Sequence, residues 1–74
     1  MTLSELAPGA NALITAVLGE PAVARRLASL GFRPGTTVSC VRRAPMGDPT
    51  VYRLRSFELC LRRREAGHII VEAA

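Results

Sequence analysis

Residues Glu20–Cys40 read EPAVARRLASLGFRPGTTVSC, and the hydrophobic period changes partway through. Before Gly31 it is helical. Pro21 suits the first helical position, and Val23, Leu27 and Leu30 recur at four and three residues, with Ala24 supporting the stripe. Gly31 stands where a left-handed residue ends a helix, and Phe32 is placed to fold back on the last turn. After Pro34-Gly35 the period is two: Val38 and Cys40 fall on one face, and Thr37, Ser39 and Val41 on the other. The segment predicts one short helix near residues 21–30 delivering the chain into a strand.

Both flanks alternate as strands. ANALITAV (10–17) sets Leu13, Thr15 and Val17 against Ala12, Ile14 and Ala16, bounded by Gly9 and Gly19. Residues 1–9 read as a lead-in ended by the Pro8-Gly9 turn. Downstream, TVYRLR (50–55) and FELCLR (57–62) flank Ser56 as a tight hairpin with Phe57, Leu59 and Leu61 inward. RREAG (63–67) is a turn or single helical turn, and HIIVEA (68–73) is the last strand. Five short strands and one early helix make the chain mainly β, a small antiparallel barrel in a single domain, 1–74. Full closure would remove exposed strand edges; incomplete closure would let edges pair into a weak homodimer.

The composition fits a folded chain. Of 74 residues, 49% are hydrophobic and 22% charged, and Phe32, Tyr52 and Phe57 are the only aromatics, so the core rests on Leu, Val, Ile and Ala. All ten basic residues are arginine. Residues 25–64 carry a net charge of +8 and the flanks −4, a basic middle that suits an acidic partner face or phosphate. ALITAVL (12–18) is far shorter than the ~18 apolar residues of a membrane span. MTLSEL lacks a basic n-region, so no export signal is read. A cytoplasmic location is expected, with Cys40 and Cys60 reduced.

The loop APMGDP (44–49) reads two ways. Pro45 and Pro49 freeze two φ angles and Gly47 supplies a conformation other residues resist, which lowers the entropy lost on binding. Met46 then serves as an adaptable apolar contact, and Asp48 joins it or simply closes the turn. Structural turn and docking loop stay equally open. Arg53 and Arg55 share a strand face, Arg42 joins the preceding strand, and Arg62, Arg63 and Arg64 leave the hairpin together. They are a solvated exterior or a basic docking surface. The residues that carry the docking reading are Met46, Gly47, Asp48, Arg53 and Arg55. Nucleic acid is not the expected partner, because only Tyr52 offers an aromatic platform between the basic residues. A basic nucleic-acid-binding barrel is kept as an alternative, and it predicts binding to single-stranded RNA that weakens steeply with added salt.

Cys40, Cys60 and His68 match no metal-ligand spacing. Cys60, with His68, Glu65 or Glu72 nearby, forms only a weak set of metal candidates, so no metal and no cofactor are expected. A single His, no activated nucleophile and no facing carboxylates argue against an enzyme.

Three stretches together resemble the FeoA family of bacterial ferrous-iron transport. They are RLASLGFRPGTTV (Arg26–Val38), RRAPMGDPTVYRLRSFELCLRRREA (Arg42–Ala66) and IIV (Ile69–Val71). The paired signals are LGF-x-PG and AP-x-GDP, separated by one strand. The resemblance implies an SH3-like barrel that is not catalytic. It implies an accessory role with the FeoB-type membrane permease, whose cytoplasmic part binds GTP. It also implies kinship with the SH3-like domain of iron-dependent repressors, so a free-standing regulatory domain of that kind is the alternative. One departure stands out: Ser56 occupies the hairpin turn where family members often carry Gly, and a positive φ there would be strained.

Overall fold

The computed structural model describes residues 1–74. A 3₁₀ turn over Leu3–Glu5 is followed by β1 (Asn11–Val17), α1 (Pro21–Ser29), β2 (Thr37–Arg43), β3 (Thr50–Leu54), β4 (Phe57–Leu61), α2 (Arg63–Ala66) and β5 (Ile69–Ala73). The strands pair antiparallel in the order β4-β3-β2-β1-β5. The register shifts between Ile14 and Ala16 in β1 and between Cys40 and Arg42 in β2. An extra residue on one strand bends it and increases its twist. These two shifts let so small a sheet curl into an SH3-like barrel. At the first, the Thr15 hydroxyl donates to the Ile70 carbonyl at 3.2 Å.

Alternation decides what the barrel encloses. Ala12 and Ile14 of β1, Val38 and Cys40 of β2, Tyr52 and Leu54 of β3, Leu61 of β4, and Ile69 and Val71 of β5 all face inward and are buried. Leu27 and Phe32 close one end. The end of α1 explains how they arrive there. The Phe32 amide donates to the Leu27 carbonyl at 3.0 Å and the Gly31 amide to the Ala28 carbonyl at 3.0 Å, with Gly31 at φ +111°. That is the Schellman pattern, whose apolar contact joins the residues that Phe32 and Leu27 occupy here. Leu30, at the C-cap, is exposed instead, so the inward stripe ends at Leu27.

The expected lead-in is part of the core. Leu3 and Leu6 are buried, Thr2 bridges Ile70, and the Val71 amide donates to the Met1 carbonyl at 2.9 Å. The partly buried Arg43 guanidinium holds the same segment from the other side, donating to the carbonyls of Leu6 at 2.6 Å and Ser4 at 3.3 Å.

The β3–β4 hairpin corrects two expectations. Phe57 has inward parity, pairing with Leu54, yet it is 48% exposed and Leu59 is only half-buried. The cause is position: β4 pairs with β3 alone, and at the turn end only the backbone around Gly31, after α1, approaches the Phe57 ring. The positive φ of the turn lies at Arg55 (+53°), not at Ser56. Arg55 therefore carries the left-handed strain, and Ser56 adopts an ordinary conformation.

Candidate functional site

The loop between β2 and β3 is closed by its own backbone. The Ala44 amide donates to the Pro49 carbonyl at 3.0 Å and the Gly47 amide to the Ala44 carbonyl at 2.7 Å, with Gly47 at φ +87°. Locking both ends pushes the intervening side chain outward, and Met46 is 92% exposed. Gly47 has open space around it, so conformation is what demands glycine there. Asp48 does not close its own turn. Its Oδ1 accepts the backbone N–H of Arg63 at 2.9 Å, which ties the loop to the first residue of α2.

This tie places Arg62, Arg63 and Arg64, all exposed, beside Asp48 in one polar hollow. Residues 48 and 63 are far apart in sequence, and no local pattern announces their meeting. Asp48→Ala removes a capping acceptor and is expected to lower unfolding free energy by about 0.5–2 kcal/mol. Asp48→Asn, which keeps an acceptor oxygen, is expected to lose less. Urea unfolding of the two variants measures the difference.

Arg53 and Arg55 stand elsewhere. Arg55 is in the β3–β4 turn, at the opposite end of β3 from Met46, about 17 Å away for a strand of this length. Arg53 is opposite Ser39 and Glu58 on the outer face, and donates to Glu58 Oε2 through Nη2 at 2.5 Å and Nε at 3.2 Å. With Gly35, Thr36, Thr37 and Ser39, the two arginines line a shallow polar hollow. The predicted contact residues thus form two patches, one around Met46 and the arginines of 62–64, the other around Arg53 and Arg55.

The metal candidates do not converge. No three His, Cys, Asp or Glu side chains are grouped to hold an ion. Cys60 is exposed on the outer face of β4. Only Glu65 and His68 share a hollow, and Glu65 is already engaged by the Arg26 guanidinium and by the Arg62 amide at 3.0 Å. Glu72 is on β5, four residues beyond His68. The His68 ring packs on Gly19, where a Cβ would come within 2.9 Å of Nδ1. The other thiol, Cys40, is buried, and burial pushes its pKa up while the Arg43 charge works against the shift. In a thiol titration of the native protein, Cys60 is expected to react at once and Cys40 only after denaturant is added. Two fast thiols would place Cys40 outside the core.

Fold and surface define the class: a small SH3-like barrel with a stiff projecting loop and two basic patches. The chain belongs to the FeoA family, whose FeoA domain model matches residues 1–73. It is 40% identical over 72 residues to an Fe(2+) transport protein A/Fe(2+) transporter FeoB fusion protein of Porphyromonas gingivalis, covering 97% of this chain but 8% of that one. The solution structure of a FeoA protein from Chlorobium tepidum matches with a TM-score of 0.90 at 44% identity, over 99% of this chain and 70% of the other. Stenotrophomonas maltophilia FeoA, crystallised with zinc and described as a prokaryotic SH3 domain protein, matches with a TM-score of 0.85 at 36% identity, over 97% and 89%. Manganese-dependent transcriptional repressors share the barrel at 16–17% identity, a likeness of fold alone. No helix of this chain is long and apolar enough to cross a membrane.

Proposed function

We propose that this chain is a non-catalytic, cytoplasmic adaptor of ferrous-iron uptake, which docks on the cytoplasmic GTP-binding part of a FeoB-type permease. The observation that carries the reading is the fusion in Porphyromonas gingivalis, where the matching segment and the transporter are one polypeptide. Covalent linkage makes a weak encounter effectively intramolecular. A free chain must supply the encounter through its own surface.

The loop carrying Met46 is the primary contact. It is exposed, rigid and tied down by Asp48, so it loses little entropy on docking. Met46 and Gly47 touch the partner, while Asp48 fixes the loop and brings the arginines of 62–64 alongside. Arg53 and Arg55 form a second, charge-guided contact with an acidic partner face. The iron is cargo of the permease, and any effect on nucleotide turnover passes through the permease's conformation.

The test is capture of the permease by immobilised adaptor, first with the GTP-binding domain and then with the intact membrane protein. Met46→Asp places a charge in the contact and is expected to weaken binding about tenfold or more. Arg53→Glu is expected to slow association and flatten its dependence on salt. Wild-type affinity in both variants would show that the surface is misplaced. No capture of even the intact permease would end the adaptor reading.

A further inference from the structure

β4 is the one strand of the barrel with a side that nothing in the fold uses. The two-residue connection at Arg55-Ser56 makes Leu54 and Phe57 a hydrogen-bonded pair, and alternation then extends this to Tyr52–Leu59 and Thr50–Leu61. Glu58 and Cys60 consequently direct their N–H and C=O groups away from β3. No turn, loop or side-chain bond takes those four groups up. The edge ends sharply at Arg62, whose amide donates to Glu65 and whose carbonyl accepts from Ala66.

The sequence of this edge, Phe57-Glu58-Leu59-Cys60-Leu61, has the same apolar–polar alternation in both directions. A two-fold axis at the central residue sets each position against one of the same parity, so apolar residues lie opposite apolar ones and polar opposite polar. We propose that β4 pairs antiparallel with β4 of a second copy of this chain, with the axis at Leu59. Glu58 then faces Cys60 of the other copy on both sides of the axis, and all four free backbone groups of each edge find partners. On the inner face the half-buried Leu59 meets Leu59, and the half-exposed Phe57 lies opposite Leu61, which its own core already buries. Glu58 uses only Oε2 toward Arg53, so Oε1 is free for the diagonal Arg62 of the other copy.

A register centred on Cys60 is poorer. It sets Glu58 against Arg62, whose backbone α2 has already consumed, and leaves only the central pair bonded. The five-residue edge buries far less than the ~1,600 Å² of a standard interface, so the dimer is weak and forms only in concentrated solution. This pairing does not rest on the permease reading: its backbone bonds come from the free edge of β4 and not from the Met46 loop, although Arg62 borders both surfaces.

The experiment is sedimentation equilibrium over a concentration series up to about millimolar, with Cys60→Pro as the decisive variant. The Cys60 amide faces away from β3, so proline there spares the β3–β4 ladder and blocks only the outer one. Wild type is expected to move toward the mass of two chains, while Cys60→Pro keeps its circular dichroism and stays at one. To read the register, Leu59→Cys in a Cys60→Ser background is oxidised with diamide, which accepts the two hydrogens released by two thiols. It is expected to cross-link in higher yield than native Cys60, because position 59 is the pair on the axis. A wild type that remains monomeric throughout, a Cys60→Pro that still dimerises, or a native Cys60 that cross-links faster than Leu59→Cys would each overturn the proposal.

Discussion

Tyr52→Ala is expected to destabilise the fold by about 3–5 kcal/mol, most of what a domain this small has to lose. Tyr52 is the largest fully buried side chain and lies mid-way along β3, opposite Cys40 on β2 and Leu59 on β4. Alanine would leave a void between three strands, and ladder hydrogen bonds keep them from closing over it. Tyr52→Phe keeps the ring and discards a hydroxyl whose distance to the Leu3 carbonyl is 3.4 Å. So long a bond is weak, and the loss is expected near the low end of about 0.5–1.5 kcal/mol. Chemical denaturation of both variants checks the ratio; similar losses would show that the hydroxyl, not the ring, holds β3 in place.

The same residue sets an alkaline limit. Burial pushes the Tyr52 phenol above its ordinary value of 10.0, and burial likewise raises Cys40 above 9.0. Both groups therefore ionise first in the unfolded chain, which then binds fewer protons than the native one. Stability that is intact below pH 9 declines as pH rises through 9 and 10. Tyr52→Phe is expected to lose the phenol's share of that decline and keep the thiol's.

Much of this barrel is legible in the chain because its signals are local. The change of period at Gly31 gives the helix, its cap and the strand after it, and Val38 with Cys40 gives the buried face of β2. Exposure of Met46 follows from a loop that proline and glycine keep out of the sheet. What alternation cannot supply is which end of a face is covered. Phe57 has the parity of Leu61 but sits where only the turn at Gly31 reaches its ring, which stays half exposed. Site geometry is harder still, because it depends on contacts between distant residues. Nothing near Asp48 announces that its carboxylate holds the start of α2, or that the Met46 loop belongs with the arginines of 62–64 rather than with Arg53 and Arg55.

Leu3→Ala is the second large loss, expected at about 2–5 kcal/mol, and it falls in a segment that reads as a simple lead-in. The segment hides its role because a 3₁₀ turn is too short to show a period. Three independent groups nonetheless fix it. Thr2 bridges Ile70, Arg43 donates to the Leu6 and Ser4 carbonyls, and the Tyr52 hydroxyl points at the Leu3 carbonyl. Leu3 is thereby driven into the barrel mouth, where no water reaches it. Leu13→Ala provides the contrast with an identical side chain. Leu13 lies on the outer face of β1 and is exposed, so its truncation is expected to cost under about 1 kcal/mol. Equal urea midpoints for the two variants would mean that the first residues only rest on the barrel. A midpoint markedly lower for Leu3→Ala means that they are its plug, because only a side chain without solvent leaves a cavity when it is cut.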